Sequence, residues 1–164
     1  MNTFKFETII AELPKFEKDE LFIWVWNADK IPPHLGLSCG KNYHSLTYKG
    51  VDEFMVGTMI RKLKRSEIPT LFVRVESELN SDLSRLFQSF ERAKPGVSTC
   101  LSPIKMAFGI EDTVKQLSGL LAQIQEQGKL GRVYGMFLNE DYSSLPVYGW
   151  EDIVSRIEVL NAEK

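Results

Sequence analysis

The chain is poor in the groups that most chemistries use. Its 164 residues include two cysteines, Cys39 and Cys100, and two histidines, His34 and His44. Two thiols fall short of the four closely spaced ones of a structural zinc site. A domain of this length buries roughly 70% of its unfolded surface without a staple, so both cysteines are expected as free thiols. A metal site from His34, Cys39 and His44 lacks a fourth ligand, and strand parity turns Cys39 away from His34. No metal and no cofactor are expected.

Charge of one sign is also missing. Twenty basic against 22 acidic residues leave a net charge of -2, too little to drive contacts with a phosphate backbone. The one basic cluster, Arg61, Lys62, Lys64 and Arg65, falls on a predicted helix and reads as a solvated face, so no nucleic-acid partner is expected. No apolar run approaches the roughly 20 residues of a membrane helix. The opening Met1–Glu7 scatters charges where a secretory signal needs an apolar core. These absences predict a cytoplasmic protein with no membrane span. Gly36, Gly40 and Gly50 are too dispersed for a phosphate-binding loop, and Gly96 opens no strand-to-helix turn of the required form. Without repeats or Gly/Ser linkers, residues 1–164 are expected to form one domain.

The apolar residues that are present alternate between two periods. Phe4, Phe6, Ile9, Ile10 and Leu13 fit a short helix slightly better than a strand, ended by Pro14. Leu21–Trp26 is continuous, aromatic and β-branched, the mark of a strand buried on both faces. Pro32 and Pro33 force an extended approach to a second strand, His34–Cys39. Gly40-Lys41-Asn42 turns the chain, and Tyr43–Tyr48 returns as the hairpin partner. Val51, Phe54, Met55, Met59, Ile60 and Leu63 predict a helix over 52–66, and Leu71–Val75 a strand.

Leu79, Leu83, Leu86, Phe87 and Phe90 mark a further helix, capped by Asn80, Ser81 or Asp82 and ended by Pro95-Gly96. A short helix is expected from Ser102 as cap, with Pro103 at its first position and Gly109 closing it. Helices over 111–127 and from Trp150 to Leu160 flank a strand over 132–138. The mixture predicts an α+β fold, an antiparallel sheet with helices packed against it.

Only one pairing of scarce groups offers a chemical centre. Cys100 lies just before a helix start, where free amides and the helix dipole favour an anion, as a thiolate nucleophile requires. A proton acceptor must come from His34 or His44, since no other histidine exists. Packing is the competing explanation for Cys100 beside Leu101 and Ile104, and capping for His34. Cys39 lies near both histidines in sequence but reads as structural.

The segment Pro33-His34-Leu35-Gly36-Leu37-Ser38-Cys39-Gly40-Lys41-Asn42-Tyr43-His44-Ser45-Leu46 resembles the histidine hairpin of the circularly permuted papain-like families. These include the permuted NlpC-related hydrolases and the lecithin retinol acyltransferase group. Pro95–Pro103, with Cys100 after a helix and a Pro-Gly break, resembles their cysteine region. The resemblance spans roughly residues 20–110. It implies a permuted papain-like fold with Cys100 as nucleophile and His34 as base. His44 would be the orienting residue, although it stands about two positions early, and Ser45 or Asn42 are alternatives. Pro103 disfavours helical geometry at Ser102, which sets the helix start after Cys100.

Two functions follow. One is a cysteine hydrolase or acyltransferase acting on an amide, ester or thioester, its peptide or other substrate unknown. The other is a non-catalytic intracellular binding or immunity-type protein using aromatics such as Tyr134, Tyr142, Tyr148 and Trp150.

Overall fold

In the computed structural model, which describes residues 3–79, 82–94 and 97–162, one antiparallel sheet organises the chain. Its strands are β1 (Leu21–Trp26), β2 (His34–Cys39), β3 (Asn42–Thr47), β4 (Gly50–Met55), β5 (Thr70–Val75) and β6 (Leu130–Met136). They lie in the order β4-β3-β2-β1-β5-β6. Five helices accompany them: α1 (Val56–Arg65), α2 (Leu83–Gln88), α3 (Ser102–Phe108), α4 (Leu117–Glu126) and α5 (Trp150–Ala162). The fold is α+β, an antiparallel sheet with helices against it, as the two periods imply. Among the described residues no helix is long and apolar enough to cross a membrane.

The central strand β1 is buried along its whole length because both of its faces are covered. Leu21, Ile23 and Val25 join Leu35 and Leu37 in a core with residues of α2, α3 and α4. Phe22, Trp24 and Trp26 face the other way, into a second core with Phe16, Tyr43 and the Val56, Met59 and Leu63 stripe of α1. A third cluster packs Ile153 and Ile157 of α5 with Leu46, Ala93 and Tyr148.

Three expectations are corrected. The opening stretch is not helical: it runs extended, with bridges from Lys5 to Ser144 and from Ile10 to Tyr134. Its backbone groups are paired by distant chain, such as Phe6 N–H to the Ser143 carbonyl. The first turns of the predicted 52–66 helix are instead strand β4, paired with β3 from Thr47–Gly50 to Asn42–Met55. A Thr47 turn makes this pairing possible, its hydroxyl accepting from Lys49 N–H and donating to the Gly50 carbonyl. Helix α4 starts at Leu117 rather than near Glu111, because the Lys105 ammonium draws the carbonyls of Val114 (2.8 Å) and Asp112 (3.4 Å) out of helical geometry.

At α2 the cap is Asp82, whose carboxylate accepts from Ser84 N–H; Asn80, Ser81 and the Pro95-Gly96 break lie outside the described residues. Helix α3 closes at Gly109 in the left-handed region, as expected, and Ser102 is its first residue rather than its cap.

Candidate functional site

The site forms where two strands part. The β2–β3 ladder runs from Cys39–Asn42 to Gly36–Ser45 and stops, so His34 and Leu35 have no β3 partner although both still pair with β1. Thr99, Cys100 and Leu101 line a cavity together with His34 and Leu35. By strand alternation His34 points to the Trp26 face of the sheet and Leu35 to the other, while Cys100 packs against the Leu35 side. That cavity of about 670 Å³ is lined by both His34 and Cys100, and by residues of both faces, including Tyr43, Ser45, Leu46 and Tyr148.

Backbone amides near the sulfur, those of Leu35, Cys100 and Leu101, favour its thiolate, although the Leu101 N–H itself donates to the Thr99 hydroxyl at 3.2 Å. Burial outweighs them and pushes the thiol up to about 11. The expected low-pKa cysteine is therefore corrected. Helix α3 is only seven residues long, with Leu101 at its N-cap and Cys100 one residue further out, where the dipole has little reach. His34 is moved the other way. Burial, helped by the Lys62 charge, holds its imidazole down at about 4. Both side chains keep some surface towards the cavity, and among the described residues no hydrogen bond joins them. At neutral pH the pair rests as thiol and neutral imidazole.

His44 is not brought to this pair. It shares a face with Leu37, its cross-strand partner, opposite to that of His34. Its Nε2 lies 3.6 Å from Glu53 Oε1, and its ring tilts against Phe87 at 5.4 Å. It lines a separate cavity of about 1150 Å³ with Cys39, Asn42, Glu53 and Ser84. Of the three candidates for a third residue, only Ser45 reaches the cavity of His34 and Cys100. Cys39 sits on the face opposite His34, as parity requires, and burial together with Asp19 raises its pKa. Both cysteines are free thiols. Among the described residues no three His, Cys, Asp or Glu side chains are grouped to hold a metal ion.

Sequence reasoning missed three members of the site. Lys62, read as a solvated face, borders the cavity, and its charge acts on His34 and on the half-buried Asp52. Tyr43 is fully buried and its ring crosses Gly36: a Cβ there would stand 2.3 Å from the Tyr43 oxygen. The Trp26 indole donates to that oxygen at 2.7 Å. The signal was the spacing of Gly36 and Tyr43 about the turn, which places them diagonally across the hairpin. No family model, curated protein or solved structure matches the chain.

Proposed function

We propose that the chain is a cysteine hydrolase or acyltransferase of permuted papain-like type, acting on an amide, ester or thioester. The observation that carries this reading is the shared cavity, which Cys100 and His34 line together. The sulfur lone pair forms a bond to the substrate carbonyl carbon while the thiol proton passes to His34, and the carbonyl π electrons move onto oxygen. Collapse of this adduct expels the leaving group, which takes the proton back from His34. Water or an acceptor nucleophile then releases the acyl group from sulfur by the same steps.

Because the resting pair is neutral, His34 acts as a general base during attack rather than as half of a preformed ion pair. The same neutrality favours the second reading, a binding protein that keeps the cavity without turnover. A small activated ester, p-nitrophenyl acetate, separates them. The enzyme reading expects acetylation of Cys100 by mass spectrometry, none in C100A, and at least about a 100-fold slower acetylation in H34A. Unmodified Cys100, or equal rates with and without His34, would leave the binding reading in its place.

A further inference from the structure

Two cavities of the protein carry opposite charge. The larger is lined by Asp19, Glu53, Glu78 and Asp82 against Lys18 and Lys41. The one shared by His34 and Cys100 is lined by Lys30, Lys62 and Arg156 against a single carboxylate, Asp52. That positive excess runs against the chain as a whole, whose net charge is -2. Among the described residues none of the three cations forms a salt bridge. Asp52 is shared between Lys62 and Lys49, so it does not cancel the excess.

Helical spacing sets the cations where they are. Lys62 stands three residues after Met59 on α1, and Arg156 stands three after Ile153 and four before Leu160 on α5; all of these line the cavity. Residues so spaced share a helix face, so each helix brings one cation to an otherwise apolar wall. Both cations are exposed, as expected of long side chains whose stems lie on apolar surface while their charged heads stay in water. Between them the walls are apolar, with Leu46, Ala93, Ile153 and Ile157. An apolar space of about 670 Å³ with a few placed charges has the make-up of a small-molecule site, and the sign of those charges selects an anion.

We propose that this cavity takes a small acyl compound with an apolar body and one negative charge, a carboxylate or a phosphate, and that Lys62 and Arg156 hold that charge while the body lies against Leu46, Ile153 and Ile157. That the bound compound is also the substrate rests on Cys100 being the nucleophile; its binding does not. The position of Lys62 gives the selection a consequence for the base. Its charge disfavours the His34 imidazolium, and the other charged or titrating groups around the same cavity are Lys30, Asp52, Arg156 and Cys100. An anion seated on Lys62 offsets the repulsion, so His34 accepts a proton more readily with the ligand in place. By reciprocity the anion binds more tightly once His34 is protonated.

The test measures binding to the full chain by NMR at low ionic strength, where charge contacts are least screened. The probes are 4-phenylbutyrate, 3-phenylpropyl phosphate and the neutral isostere 4-phenylbutanamide. At least one anion is expected to bind about tenfold more tightly than the amide, and the tighter of the two identifies the source of the charge. K62Q and R156Q should each weaken that anion about fivefold and leave the amide unchanged. K64Q, on the same helix but outside the cavity, should bind like the parent. The His34 titration should move up with the anion bound and stay in place with the amide. Equal affinity for anions and amide would overturn the proposal, as would a loss in K64Q as large as in K62Q, the mark of a diffuse surface field. If p-nitrophenyl acetate leaves Cys100 unmodified while K62Q and R156Q still lose the anion selectively, the enzyme reading falls and the anion site stands.

Discussion

Replacing Gly36 by alanine tests whether the Tyr43 ring is as tightly locked across the hairpin as its surroundings imply. An added Cβ would meet Tyr43 Oη at 2.3 Å and Cε2 and Cζ at 2.5 Å, distances at which one of the two must move. The ring cannot swing aside cheaply. It stacks edge-on to Trp24 at 4.9 Å and Trp26 at 6.1 Å, and its displacement strips the buried Trp26 indole N–H of its acceptor. Overpacking costs about 1 to 3 kcal/mol and the orphaned N–H about 1 to 3 more. G36A should therefore lose about 4 kcal/mol, and Tm should fall by about 10 °C. Urea unfolding of G36A, Y43A and the double variant isolates the clash. With the ring gone, Gly36→Ala should cost nothing or gain about 0.5 to 1 kcal/mol from reduced chain entropy. Additive effects, with G36A as costly in Y43A as in the parent, would refute the argument.

Two further outcomes follow from the titrating groups. His34 has an ordinary pKa of 6.5 and is held at about 4 in the fold, so the unfolded chain takes up its proton first; the stability it supplies is complete above pH 6.5 and is lost as pH falls towards 4. The shift corresponds to about 3 kcal/mol. H34Q should flatten the dependence of unfolding free energy on pH between 7 and 4.5, and an unchanged slope would show that the ring is solvated. His44 is lowered by burial but raised by Glu53 and Asp82. E53Q should therefore move its NMR-detected titration further down, whereas an unmoved titration would mean that the 3.6 Å approach to Glu53 carries no energy.

What the sequence disclosed was local. β1, β2 and the return strand were legible because a continuous apolar run, two prolines and a glycine turn fix them within a few residues. Strand β4 was not. Val51, Phe54, Met55, Met59 and Ile60 keep helical spacing across the junction at Met55 and Val56, and what separates strand from helix there is pairing with β3. The opening stretch failed for the same reason: its partners, Val133 and Ser143, lie more than a hundred residues away. At the site, the order of His34 and Cys100 was readable, but not the notch that joins their cavity. The low-pKa cysteine was misjudged because a helix start was weighed without its length or its burial.

The neutral resting pair constrains any thiol chemistry at Cys100. With the thiol at about 11 and the imidazole at about 4, proton transfer between them opposes a gap of about seven pKa units, or about 10 kcal/mol before their mutual attraction is counted. A turnover of about ten per second corresponds to a barrier of about 16 kcal/mol, so the gap alone does not forbid reaction. It does require that the charge leaving sulfur be received at once. An oxyanion forming as the proton departs meets that requirement, because the negative charge then passes to an oxygen rather than resting on a buried sulfur. A thiol site of this kind is quiet towards general alkylating agents at neutral pH and responds to carbonyl substrates that fit. Its iodoacetamide rate should rise only as pH approaches 11, and fast alkylation at pH 6 would contradict the buried, neutral thiol on which this argument stands.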